Sequence, residues 1–136
     1  MQSNSFQTLK HTLSWLYVWG IAFGYIEAAI VIYLRKIYYP DGFRFPIVLA
    51  DIDITAVEMM RELMTLIIIL AVAELTFRTF LKKFAAFMII FGIWDIFYYI
   101  FLKIYLDWPE SFFTWDILFL LPFPWVGPVL APILLS

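Results

Sequence analysis

The chain has 136 residues, of which 65% are hydrophobic and 21% aromatic against 15% charged, with a mean hydropathy of +0.92. Soluble domains use about 45–50% apolar residues, so a chain of this size has more apolar surface than it can hide from water, which excludes an ordinary soluble globular protein. A net charge of −2 argues against a nucleic-acid partner, the absence of Cys removes disulfides and thiolate metal centres and argues against iron–sulfur clusters, and a single His, His11, leaves haem and His-based zinc chemistry with almost no ligands.

The segment Met1–Lys10 is polar, and no small-residue cleavage site follows the apolar run after it, so it reads as a retained N-terminus rather than a cleaved signal. The first predicted span, 12–34, carries one charge, Glu27, has Trp15, Tyr17, Trp19 and Tyr33 near its ends and stops at Arg35-Lys36, as a transmembrane helix should. Gly20, Gly24 and Ala28 make a small-residue seam of the kind that lets helices approach closely in lipid. Glu27 falls along that seam, so it is expected to face protein.

The connector 35–55 has Tyr38-Tyr39-Pro40-Asp41-Gly42 as its turn signal, and its Phe43, Phe45 and Ile47–Ala50 suit the headgroup layer. The second span, 56–77, holds Glu58, Arg61, Glu62 and Thr65 on one side; Glu74 lies about 160° away at about 100° per residue. Thr55-Ala56-Val57-Glu58 has the form of a capping box, which offers Glu58 a purely structural role. Glu62 can pair with Arg61 or Arg35, and Glu74 with Arg78 at i,i+4. A basic turn with Arg78, Lys82 and Lys83 leads to the third span, 84–106, where Asp95 sits about 16 Å below Leu106, near mid-membrane. Tyr98 and Tyr99, one turn further on, are candidate donors to it. Lys103 and Asp107 form another i,i+4 pair.

The fourth segment, 115–135, begins at Asp116, an acid suited to a helix N-terminus, and is interrupted by Pro122, Pro124, Pro128 and Pro132. It is therefore expected to be kinked, partly unwound or re-entrant. Freed carbonyls at membrane depth are tolerated where they are buried in protein or line a polar cavity.

These elements predict an all-α integral membrane protein. Four transmembrane segments form one bundle, a single domain over 1–136, with the fourth kinked or broken by prolines. The compact basic turn between the second and third spans favours both termini in the cytoplasm, with the protein in the plasma (inner) membrane. An ionised acid in hydrocarbon costs about 2.5–3.5 kcal/mol or more and by default marks function. The expected binding pocket is Glu27, Arg61, Glu62, Asp95, Asp116 and Tyr99. Glu27, Glu58, Glu62 and Asp95 are candidate ligands for a hard divalent cation such as Ca²⁺, Mg²⁺ or Mn²⁺.

Three functions compete on this reading. The first is a pocket that binds a cation, proton or small polar group, with transport in view. The second is a structural or accessory subunit of a larger membrane complex. The third is a membrane-embedded carboxylate or metal enzyme acting on a lipid-soluble substrate. The last lacks Glu-x-x-His pairs and any G-x-S-x-G, Walker A or dinucleotide fingerprint. The expected partners are the lipid bilayer and either further copies of the chain or a larger membrane complex.

Overall fold

The computed structural model describes residues 2–41, 52–120 and 125–136. The expected headgroup packing of Phe43, Phe45 and 47–50 lies outside these residues, as do Arg44, Pro122 and Pro124. The described chain is mostly helical: α1 (Gln2–Tyr38), α2 (Ile52–Thr76), α3 (Phe80–Leu106), a hairpin of β1 (Trp115–Phe119) and β2 (Trp125–Pro128), and α4 (Leu130–Leu135).

Helices α1 and α3 are long and apolar enough to cross a membrane. Only 28% of the most apolar stretch of α1 and 44% of that of α3 is buried within the molecule, so much of each must be covered by something else. α1 starts ten residues earlier than the apolar run alone suggests, and it stops where Pro40 enters the turn. α3 ends at Asp107, which takes the left-handed conformation (φ 50°) and donates its N–H to the Lys103 carbonyl. Asp107 lies outside the apolar run, and the hydrogen bond and charge of Lys103, 2.8 Å away, hold its carboxyl below its ordinary value.

Gly20, Gly24 and Ala28 let α1 lie directly on α3. Gly20 faces Ile93, and a Cβ on Gly24 would come within 3.1 Å of the Trp94 carbonyl oxygen. In lipid such packing rests on dispersion and close approach rather than on expulsion of water. Two apolar clusters follow from it. One, near the turn between α2 and α3, joins Leu16, Ile69, Ala73, Ala86, Ile90 and Trp94. The other, towards the Leu106 end, joins Ala28, Ile32, Tyr99, Leu102, Trp108 and Val129.

Only the lower half of α2 belongs to this core. Its buried residues, Thr65, Ile69 and Ala73, form one stripe at helical spacing. Nearer Ile52, the same side of α2 carries Glu62, Arg61 and Glu58, which line a space between it and the other helices.

The fourth segment is neither a kinked helix nor all-α. β1 and β2 pair antiparallel, with Asp116 opposite Gly127 and a bulge between Ile117 and Phe119. The prolines explain the change from helix. Pro128 closes β2, where a missing donor costs little, and Pro132 falls in the first turn of α4, whose N–H groups have no intrahelical acceptors. The aromatic and β-branched residues around them suit strands. β1 descends from the Leu106 end until Phe119 stacks on Phe91, with ring centroids 6.1 Å apart and planes 8° apart, about 22 Å along α3 from Leu106. β2 climbs back, so that the Val129 N–H reaches the Thr114 carbonyl at 2.8 Å. α4 then descends again and sets Ser136 against Gly92. The hairpin thus runs down and back beside α3.

Candidate functional site

A cavity of about 480 Å³ lies between α1, the charged half of α2, α3 and the hairpin. Its walls are largely aliphatic and aromatic, with Phe91, Trp94, Leu66 and Phe119 among them. Among the described residues it is also lined by five carboxylates, Glu27, Glu58, Glu62, Asp95 and Asp116, and two guanidinium groups, Arg35 and Arg61. Every residue expected in the binding pocket, Tyr99 included, is on this wall.

The charges fall into distinct groups. In the first, α1 meets α2. Buried Glu27 pairs with Arg61 through Oε2, and its Oε1 lies 3.0 Å from the Thr65 hydroxyl. Arg61 turns its other donors to Glu58, with Nε 3.1 and 3.0 Å from the two carboxylate oxygens and Nη2 2.6 Å from Oε2. Glu58 is therefore not the second half of a capping box: α2 begins at Ile52, Thr55 lies inside the helix, and the carboxylate is spent on Arg61.

In the second group, Asp116 accepts from Arg35 Nη2 at 3.1 Å, from the Tyr99 hydroxyl at 3.0 Å and from the Ile117 N–H at 2.8 Å. The Arg35 guanidinium also stacks 3.8 Å above the Trp108 ring. Asp116 is thus anchored in a strand by three donors, not placed at a helix N-terminus. Tyr99, expected near Asp95, serves Asp116 instead.

Glu62 is bound to the hairpin. It accepts the Leu120 N–H at 2.9 and 3.1 Å, tying α2 to the tip of the hairpin where β1 ends and a backbone donor is left over. Glu74 pairs with Lys83 across the turn rather than with Arg78.

Asp95 stands apart. It is 8% exposed, and its hydrogen bond comes from the neutral Ser136 hydroxyl at 2.9 Å. No cationic group lies within salt-bridge distance of it among the described residues. Because Gly24 lies against Trp94 and Tyr98, Glu27 sits about one helical turn nearer the Leu106 end than Asp95 does.

The metal set expected from Glu27, Glu58, Glu62 and Asp95 does not assemble: among the described residues no three acidic or His side chains come together in a way that could hold a metal ion. The reason is Arg61, which occupies the space between Glu27 and Glu58 that a cation would take.

Arg35 is the residue whose role the sequence shows least. Read from the chain, it closes a span; in the fold it is buried and turns inward. The signal is its register, since Gly20, Gly24, Ala28, Ile32 and Arg35 follow one another at steps of four and three on one stripe of α1. Ser136, the donor to Asp95, carries no comparable mark.

No family model, curated protein or solved structure matches this chain.

Proposed function

We propose that this chain is an integral membrane protein of four membrane segments, three helices and a re-entrant fourth. In this reading the cavity is an acidic chamber within the bilayer that binds a cation, proton or small polar group and helps it across. The orientation proposed is both termini in the cytoplasm, and the exposed apolar sides of α1 and α3 are met by lipid or by further copies of the chain.

The observation that carries this reading is Asp95. Glu27 and Glu58 share Arg61, and Asp116 has Arg35, but among the described residues Asp95, buried in a cavity wall, is hydrogen-bonded by a hydroxyl alone. A carboxylate in that position needs a counter-charge or a proton. The chamber supplies space for the one, and Asp95 itself can take the other. The cavity favours this reading over a purely structural subunit, and the pairing of Glu27, Glu58 and Asp116 with arginines favours it over an enzyme that works through paired carboxylates.

The test is flux into proteoliposomes of proton or monovalent cation under an imposed gradient, with Glu27→Gln and Asp95→Asn combined. Transport is expected to fall at least about tenfold, the scale of losing one well-placed charge interaction, while the variant remains monodisperse. Unchanged flux from a folded double variant contradicts the reading.

A further inference from the structure

If the cavity is an acidic chamber, its walls also specify the kind of cation it takes. A bare hard ion such as Ca²⁺ takes six or more oxygen ligands, and among the described residues no three acids converge to begin such a shell. Among the described residues Asp95 is the buried carboxylate with no cation within salt-bridge distance, and it can hold one positive charge.

The surroundings of Asp95 are those of an organic molecule rather than of an ion. Phe91 and Trp94 lie on the same helix one turn and one residue before it, their ring centroids 5.2 Å apart at 66°, and Phe119 of β1 stacks on Phe91. Leu66 of α2 completes this apolar end of the cavity. Aromatic faces attract ammonium groups and also bury hydrocarbon. A volume of about 480 Å³ is that of a small organic ligand. Trp94 adds an independent mark, because its indole N–H is buried with no acceptor among the described residues. A buried donor left unpaired is a cost that an oxygen on a bound molecule would remove.

We infer that the chamber binds an amphiphilic organic monocation, a protonated amine or quaternary ammonium, with its charge on Asp95 and its apolar body against Phe91, Trp94 and Leu66. This inference rests on the acidic-chamber reading. The carboxylate sets the sign of the ligand, and the rings together with the lack of three converging acids among the described residues separate it from a metal ion. Five carboxylates against two guanidinium groups leave the wall negative, and Arg61 and Arg35 are bound to Glu27, Glu58 and Asp116 rather than to Asp95.

The experiment is calorimetric titration of the full chain in lipid nanodiscs, with empty nanodiscs as reference, using three probes that share one body: 2-(1-naphthyloxy)ethylamine, the corresponding alcohol and (1-naphthyloxy)acetate. CaCl₂, MgCl₂ and MnCl₂ are titrated alongside. The amine is expected to bind at least about tenfold more tightly than the alcohol, a difference of about 1.4 kcal/mol, and the carboxylate is expected not to bind. Asp95→Asn is expected to bring the amine down to the level of the alcohol, and Asp95→Glu to keep the preference. Equal binding of amine and alcohol overturns the inference, and so does a preference that survives Asp95→Asn. Should Asp95→Asn fail to fold, the wild-type probe series decides alone. Binding of a metal ion without the amine overturns the organic-cation inference but supports the acidic chamber; binding of neither overturns the organic-cation inference, and the proton flux of the double variant then decides the chamber.

Discussion

Arg61→Met is expected to destabilise the protein by about 3–5 kcal/mol, the cost of removing one partner from a buried ion pair, and to do so through Glu27. The substitution keeps an unbranched apolar stem and removes the guanidinium, so packing loss is small. What remains is Glu27 on α1, 7% exposed at the side chain with the Thr65 hydroxyl beside it, and, less buried at 16%, Glu58, which also loses its cation. Removing that charge as well, in Glu27→Gln with Arg61→Met, is expected to recover much of the loss. An ion pair in a low-dielectric site contributes little by itself, but half of one is costly. The measurement is thermal unfolding in mild detergent for the two single variants and the double variant, read as a double-mutant cycle. Strictly additive losses would show that Arg61 and Glu27 do not depend on each other, and the junction of α1 with α2 would need another explanation.

Gly24→Leu is expected to cost about 1–3 kcal/mol or more, the range for overpacking a close contact, and to disturb the chamber at a distance. A Cβ at Gly24 would lie 3.1 Å from the Trp94 carbonyl oxygen and 3.4 Å from the Tyr98 nitrogen. Both are backbone atoms of α3 and cannot swing aside, so α1 must move. Glu27 lies three residues further along the same helix and would be carried away from Arg61. Gly127→Ala makes the control, because its Cβ would meet only the end of the Leu118 side chain at 3.1 Å. The unfolding temperature should fall for Gly24→Leu and change little for Gly127→Ala; similar behaviour of the two would refute the seam as the element that sets the distance between α1 and α3.

Whatever depends on periodicity is legible in the chain. The seam on α1, the shared face of Glu58, Arg61, Glu62 and Thr65 on α2, and the Lys103–Asp107 pair all follow from a repeat of 3.6 residues applied to one helix at a time. The prolines announce a departure from helix in the fourth segment, yet not its form. Whether a proline-rich stretch kinks, unwinds or pairs with itself depends on what the neighbouring helices leave open, and here the divergence of α2 leaves room for a hairpin.

Partner choice is the other thing hidden from periodicity. Spacing offers Glu62 a cation, yet it accepts a backbone N–H; it offers Tyr99 to Asp95, yet the hydroxyl donates to Asp116; and Arg35, at the end of its span, faces inward rather than flanking it. Each depends on where β1 descends, and that is a long-range fact. The capping box at Thr55 fails for a local reason, because α2 continues a turn further towards Ile52 than its apolar residues indicate.

A polar chamber that water can enter and that favours positive charge is the central claim, and the absence of Cys makes it directly measurable. Leu66→Cys places a thiol on the chamber wall, and Leu70→Cys places one on the exposed side of α2, 52% accessible and outside the cavity. Each is treated with cationic and anionic methanethiosulfonates of similar size, and the rates are compared. Field focusing in a cleft lined by one sign of charge raises approach rates by about 10- to 1,000-fold. The chamber therefore predicts that the cationic reagent modifies Leu66→Cys at least about ten times faster than the anionic one, that Asp95→Asn narrows the ratio, and that Leu70→Cys shows no such preference. Equal rates for the two reagents at Leu66→Cys, or no modification there by either, would contradict it.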